Sequence, residues 1–373
     1  MKILFLSHHW SNNSHHSLHS GFQRIVQFAA ADNEVTLVTW AEHEREYMDG
    51  PIRVITVKGG RRDFLFRKRI AISRKGAALA PAFDAIHALY EDCTFALPAN
   101  RFTTTFHVLP GVVRYPKLQH RIFIFLKYNI LQRRALRNAA SIACVSTNLL
   151  AAIPGRHRSK ARFIPHGVDT GFWDPALASP ADLPAGLPAV ASAEAGASAK
   201  AGASAEAGPG YILCVGSHGL DRALLTEIIR ANPNREFIIV GLKPQLDAFP
   251  NIRYLYQLSD EALRDLYGNA DFMLRPLDFA TANNSVLEAL SMGKTILASR
   301  IPGISDYLTE KTGIFIDTLP GLSLENVKPL DPVHIRRSTI ETFSWQKVMA
   351  EYAELYHQQK PQSDPPISKH AHA

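Results

Sequence analysis

DFMLRPLDFATANNSVLEALSMGKTILASR, residues 271–300, is the stretch on which the fold turns. Phe272, Met273 and Leu274 form an apolar run that reads as a short buried strand, and residues 277–284 follow as a polar loop. From Ser285 to Met292 the spacing becomes helical, with Val286, Leu287, Leu290 and Met292 available for one buried stripe. Asn283 or Asn284 can cap the start, and Gly293 stands where a left-handed C-terminal cap belongs. Thr295 to Ala298 then supplies a second strand. A strand-loop-helix-strand unit aims the open amides of a helix start over the strand ends, a place suited to phosphate because donors and helix dipole act together. Glu288, one turn inside, is placed to accept hydrogen bonds from a sugar hydroxyl, as an acidic residue holds ribose in dinucleotide sites. An ordinary α/β unit with Glu288 as a solvated helix residue is the alternative.

The same alternation extends along the chain. Strands are expected over 2–7, 34–39, 52–57, 84–88, 102–106, 141–145 and 162–165, with helices over 21–31 and 118–138. A second series follows: strands over 211–215, 236–240 and 313–316, helices over 221–231 and 260–267, and a last helix over 344–358. Strands alternating with helices predict α/β architecture, a parallel sheet covered on both faces. A chain of 373 residues exceeds what one core usually supports, so two such domains are expected. Between them, AEAGASAKAGASAEAGPG is an Ala/Gly/Ser tract with few large side chains, predicted to remain a disordered linker. The expected boundaries are 1–172, a linker over 173–209, 210–340, a helix over 341–358 that crosses back to the first domain, and a disordered tail over 359–373.

Composition excludes several classes. No apolar run is long enough to span a bilayer, and MKILFLSHHW reads as a first strand rather than a signal peptide. A cytoplasmic protein is therefore expected. Cys93, Cys144 and Cys214 show no metal spacing and no even count. The excess of 41 basic over 34 acidic residues gives +7, which suits an anionic substrate or surface. Nothing resembles a nucleic-acid module, so no nucleic-acid partner is expected.

Three further stretches carry candidate chemistry. The loop after the first strand holds His8, His9, His15, His16 and His19, whose spacing fits no structural zinc pattern; no metal is expected. Within it, Ser20-Gly21 is read as opening a helix where backbone can approach a phosphate or acceptor. His107 directly follows a strand and reads, by itself, either as a satisfied polar residue or as a site residue. Gly216 ends a strand ahead of a helix that carries Arg222. Residues 61–75, with Arg61, Arg62, Arg67, Lys68, Arg69, Arg74 and Lys75, read as an anionic-membrane surface, with outward charge for solubility as the alternative. The basic-apolar stretch over 117–137 reads as a helix packed on the sheet.

VLEALSMGKTILAS and the following IPGISDYL closely resemble the donor-nucleotide segment of GT-B glycosyltransferases, in particular the large retaining family that includes sucrose synthase and many bacterial polysaccharide enzymes. Its signature is a Glu, seven residues, then a second Glu. Glu288 matches the second, which the resemblance makes the ribose ligand, and Ala280 stands in place of the first. Thr281, Asn283, Asn284 and Ser285 occupy its turn near sugar and phosphates. Ser217 follows Gly216 where the family has an Arg, and Arg222 matches its diphosphate-gripping Lys. His107 matches the His that faces the donor sugar. IACVS at 142–146 and IPHGVD at 164–169 match the strand ending the first domain and the turn into the crossover.

The resemblance implies two Rossmann-like domains facing across a cleft. It implies transfer of a sugar, with retention, from a nucleotide diphosphate sugar to an acceptor hydroxyl. The +7 charge, the basic stretch over 61–75 and the lack of a spanning segment add the expectation that the acceptor glycan is a lipid-linked sugar at the cytoplasmic membrane face. Catalysis would involve His107 and need no cofactor or metal, since the metal-holding Asp-x-Asp pattern is absent. Two alternatives stay open: an epimerase on the same fold, which the missing Glu at Ala280 weakens, and a sugar-nucleotide-binding protein that has lost catalysis, which Ala280 and Ser217 support.

Overall fold

Lys2–Leu6 (β1) buries four consecutive apolar side chains, the mark of a strand covered on both faces. It pairs in parallel with Glu34–Ala41 (β2) and Ala85–Ala88 (β5), at the middle of an eight-stranded sheet. The computed structural model describes residues 1–10, 17–59, 66–107, 125–179, 210–242 and 249–359, with backbone alone for 17–22. The first sheet runs Arg45–Asp49 (β3), Ile52–Lys58 (β4), β2, β1, β5, Thr103–Phe106 (β6), Ser141–Cys144 (β7), Ala161–Phe163 (β8). The second, of six strands, runs Ile252–Leu255 (β11), Phe237–Val240 (β10), Ile212–Val215 (β9), Phe272–Arg275 (β12), Ile296–Ala298 (β13), Gly313–Phe315 (β14). Apart from the hairpin strand Arg45–Asp49 (β3), which pairs antiparallel with Ile52–Lys58 (β4), both sheets are parallel. The α/β class and the two sheet domains read from the sequence are therefore what the chain forms.

In the first sheet Thr103–Phe106 (β6), Ser141–Cys144 (β7) and Ala161–Phe163 (β8) continue outward from β5. Helices Ser17–Ala29 (α1) and Arg67–Leu79 (α2) belong to this half, as do Arg133–Asn138 (α3) and Thr147–Ala152 (α4). A π-helical turn over Lys127–Gln132 leads into α3; residues 118–124 of the predicted helix lie outside the described residues. The second sheet is built from Ile212–Val215 (β9), Phe237–Val240 (β10), Ile252–Leu255 (β11), Phe272–Arg275 (β12), Ile296–Ala298 (β13) and Gly313–Phe315 (β14). Its helices are Arg222–Ala231 (α5), Asp260–Asn269 (α6), Asn284–Ser291 (α7) and Pro332–Phe343 (α8).

Trp345–His357 (α9) returns the chain to the first domain. Trp345, Val348, Tyr352, Leu355 and Tyr356 are buried in that domain's core, together with β1 and β5. Fully burying such side chains contributes about 2–3 kcal/mol each. The return is tied at Val168, whose amide donates to Phe343 O at 2.8 Å and whose carbonyl accepts from Trp345 N at 3.2 Å. Gly167 must be glycine here, because a Cβ would sit 2.5 Å from the Trp345 ring.

The chain is still packed at 173, where the predicted linker was to begin. Trp173 is buried in the second domain's core, and Ser179 N donates to Asp265 Oδ1 at 3.0 Å, so 173–179 pack as structure. Residues 180–209, with the Ala/Gly/Ser tract, lie outside the described residues, as do 360–373 of the predicted tail. Replacing residues 190–207 with a short Gly/Ser segment should leave the melting temperature within about 2 °C, since loop length adds little closure entropy. A large drop would show that the tract packs.

Two side chains in 61–75 turn inward, correcting the predicted cationic surface. Lys68 is buried with its ammonium 3.1 Å above the centre of the Trp40 ring, and Arg69 Nε donates to buried Asp92 at 2.9 Å. Arg67, Arg74 and Lys75 are exposed on α2, and residues 60–65 are outside the described set.

Candidate donor site at the sheet ends

α7 shows why the 271–300 stretch folds as it does. Asn283 caps the helix, its side chain accepting from Val286 N at 3.3 Å and from Ser285 Oγ at 2.6 Å. Val286, Leu287 and Leu290 are buried, and Gly293 closes the helix at φ 70°. A Cβ at Gly293 would lie 2.8 Å from Pro332 O, so the left-handed cap is also a close approach. The helix start lies at the carboxyl ends of β9 and β12: Ser285 Oγ also reaches Val215 O at 3.4 Å. Ligands of open parallel sheets gather at such ends.

Glu288 is 6 % exposed and is not the solvated residue of the alternative reading. Tyr267 OH donates to its Oε2 at 3.0 Å, and burial pushes its carboxyl up to about 7 despite that bond. The protonated form is therefore favoured on folding, and its contribution, complete below pH 4.5, is lost as pH rises through 7. Over that window the parent should lose up to about 3 kcal/mol relative to Glu288→Gln, which cannot ionise. Urea unfolding of both proteins between pH 5 and 8 checks this; parallel curves would contradict it.

Gly216 and Ser217 follow β9. Gly216 adopts φ 84°, its amide donates to Val240 O at 2.9 Å, and Ser217 is exposed. The loop folds down onto 276–278 through Asp221 N to Pro276 O (3.0 Å) and Asp278 N to Gly219 O (2.9 Å). Asp221 caps α5, leaving Arg222 exposed at its first position. Buried Arg275, at the end of β12, donates through Nη1 to Val215 O and to Gly216 O, the latter at 2.8 Å.

The first domain faces this loop with two histidines. His107 directly follows β6, and its Nε2 donates to Leu89 O at 2.8 Å, which makes Nδ1 the acceptor nitrogen. Burial, with His166 adding to it, holds its pKa well below the usual range, so the ring is neutral. Thr281 Oγ1 donates to His107 O at 2.7 Å, joining the domains. His166 Nδ1 donates to Asn284 Oδ1 at 3.1 Å, and its ring stands edge-on to His107 at 5.8 Å. Burial lowers the His166 pKa to about 4. Ala280 is buried and lines a small cavity with Asn148, Phe279, Thr281 and Pro302.

Glu288, Ser285, Asn283, Asn284, Thr281, Gly216, Ser217 and His107 thus gather where the two sheets' strand ends meet, with Arg222 at the loop's far side. Ser20 and Gly21 depart from the reading. α1 begins at Ser17, so they lie a turn inside it, where their amides are spent on the helix rather than open to a phosphate. Sequence reasoning missed Tyr267 and Arg275. The signal for Arg275 was a charge ending an otherwise apolar strand.

His8, Asp92 and Cys93 are the described residues whose donor atoms converge enough to take a cation, all within 4.8 Å. Arg69 and Lys127 already approach Asp92 Oδ2 at 2.9 and 3.7 Å, and Lys127 reaches Glu91 at 3.2 Å. Burial raises the Cys93 thiol pKa well above its usual range. The cluster is a charge-balanced network, and a further positive charge there would be opposed.

Residues 209–321 match the family model described as Glycosyl transferases group 1. No curated protein matches the sequence. Among solved structures, the chain is similar to sucrose-phosphate synthase from Thermosynechococcus elongatus, with TM-score 0.68 and 17 % identity over 96 % of this chain and 98 % of that one. It is also similar to the catalytic domain of starch synthase IV from Arabidopsis thaliana bound to ADP and acarbose (0.64, 14 %, 96 % and 99 %). A third is HepE of Anabaena in complex with UDP-glucose (0.62, 14 %, 95 % and 99 %). The chain has the GT-B fold, and the resemblance read from residues 286–308 falls inside the matched segment. No helix among the described residues is long and apolar enough to cross a membrane.

Proposed function

We propose that this GT-B protein transfers a sugar, with retention, from a nucleotide diphosphate sugar to an acceptor hydroxyl. The observation that carries the reading is Glu288, buried and aligned by Tyr267 one turn inside α7, beside the helix start and the Gly216–Ser217 turn. The ribose is held by Glu288 and the diphosphate lies at the first turn of α7. As the glycosidic bond breaks, negative charge grows on the diphosphate, and prearranged positive groups lower that barrier. Arg222 and the helix dipole supply them, so the reading calls for no metal ion. Neutral His107, an acceptor at Nδ1, positions the donor sugar. Thr281 Oγ1 on His107 O closes the cleft over the sugar and limits hydrolysis. In support, group 1 glycosyltransferases match the segment that holds Glu288, and HepE was solved with UDP-glucose.

A thermal-shift panel of UDP-, GDP-, ADP- and dTDP-sugars tests the reading. One donor class should raise the melting temperature by several degrees at 100 Kd, through mass action alone. No shift with any of them would count against it.

We place the acceptor on a lipid at the membrane face. In support, Arg67, Arg74 and Lys75 project from α2 and the net charge is +7. Each exposed basic residue near an anionic leaflet contributes on the order of 1 kcal/mol. Flotation with anionic vesicles should fade with salt and fall when Arg67, Arg74 and Lys75 become Ser. Equal recovery on neutral vesicles would favour a soluble acceptor.

A further inference from the structure

The second domain buries a cation that no carboxylate among the described residues balances. Arg275 is 2 % exposed. In β12, Phe272 and Leu274 face one core and Met273 the other, so alternation puts Arg275 on the Met273 side, which α7 covers. Val215 O, one of its acceptors, also takes Ser285 Oγ, which puts the guanidinium beneath the first turn of α7. Among the described residues no carboxylate pairs with it, and its Nε has no hydrogen-bond partner. A buried guanidinium held by two carbonyls and the neutral Cys214 thiol, with no carboxylate, is costly unless a counter-charge arrives, and the α7 dipole adds positive potential at the same spot.

The bond to Gly216 O has a second effect. In a trans peptide the N–H points opposite to the C=O. Drawing the Gly216 carbonyl inward onto Arg275 therefore turns the Ser217 amide outward, above the strand ends. Gly216 at φ 84° permits that turn, and its own amide is spent on Val240 O. Backbone amides aimed in this way bind phosphate oxygens.

Building on the donor reading above, we propose that Arg275 is a positioning residue of the diphosphate site. It fixes the Gly216–Ser217 peptide with the Ser217 amide toward the phosphates and supplies, from beneath, a positive charge additional to Arg222. The site then needs no arginine side chain at position 217.

Titration calorimetry with UDP, GDP, ADP and dTDP, each beside its nucleoside, tests this. The parent should prefer its cognate diphosphate over the nucleoside by roughly 100-fold or more. Arg275→Met, folded as judged by circular dichroism, should bind the nucleoside as the parent does while losing most of that preference. Arg275→Lys should recover part of it. An unchanged preference in folded Arg275→Met overturns the proposal and leaves the donor reading standing. A parent that binds no nucleoside diphosphate overturns both. Should Arg275→Met not fold, Arg222→Ala decides: a remaining preference of about tenfold supports Arg275, and its complete loss assigns the charge to Arg222 and overturns the proposal.

Discussion

Arg222→Ala should lower turnover roughly 100-fold while changing donor affinity far less. Arg222 is exposed at the first position of α5, so its removal leaves the core intact and the variant should melt like the parent. The leaving diphosphate gains charge as the glycosidic bond breaks, and a cation that meets this charge stabilises the transition state more than the bound donor. Losing one such group from a prearranged site costs on the order of 10²–10³ in kcat. Steady-state kinetics with the donor selected by thermal shift would show kcat and kcat/KM falling together. A rise in KM at constant kcat would assign Arg222 to ground-state binding, and no change would remove it from the site.

Glu288→Ala should weaken donor binding about 10- to 100-fold, the scale of a lost hydrogen bond to a charged group. Its effect on stability separates a binding role from a structural one. Burial disfavours the ionised carboxyl, with a pKa near 7, so the empty protein gains little from Glu288 at pH 8. Glu288→Gln keeps the volume and should melt no lower than the parent at pH 8, while binding the donor less well. Titration calorimetry beside a melting curve checks both. Normal binding with a lowered melting temperature would make Glu288 a packing residue held by Tyr267.

The parallel sheets were legible because their strands are continuous apolar runs between turn residues, as in KILFL and FMLR. The α7 start was legible because a cap, an apolar stripe and a closing Gly agree. Strands β3 and β11 were not: REYMD and IRYL lie at sheet edges, with half-exposed side chains and no apolar run. The Pro332–Phe343 helix was missed because its buried face is thin, with Ile335, Thr339 and Phe343 inward and Val333 and Ile340 exposed. Lys68 and Arg69 were read as surface charge because spacing cannot show that Trp40 and Asp92, distant in sequence, wait beneath α2. Arg275 escaped notice for the same reason. Its meaning lies in the carbonyls of 215 and 216 and the start of α7, which only the closed sheet brings together.

Turnover of the donor tests the central claim most directly. The protein is incubated with the nucleotide sugar that shifts its melting temperature, without acceptor, and the products are followed by anomer-resolved NMR. A retaining transferase should slowly release the nucleoside diphosphate and a free sugar of the donor's own anomeric configuration, and Arg222→Ala should suppress that release. Inverted sugar would contradict retention. A changed ring stereocentre would indicate an epimerase, and tight binding with no turnover, even after acceptor glycans and lipid-linked sugars are added, would contradict the transferase reading altogether.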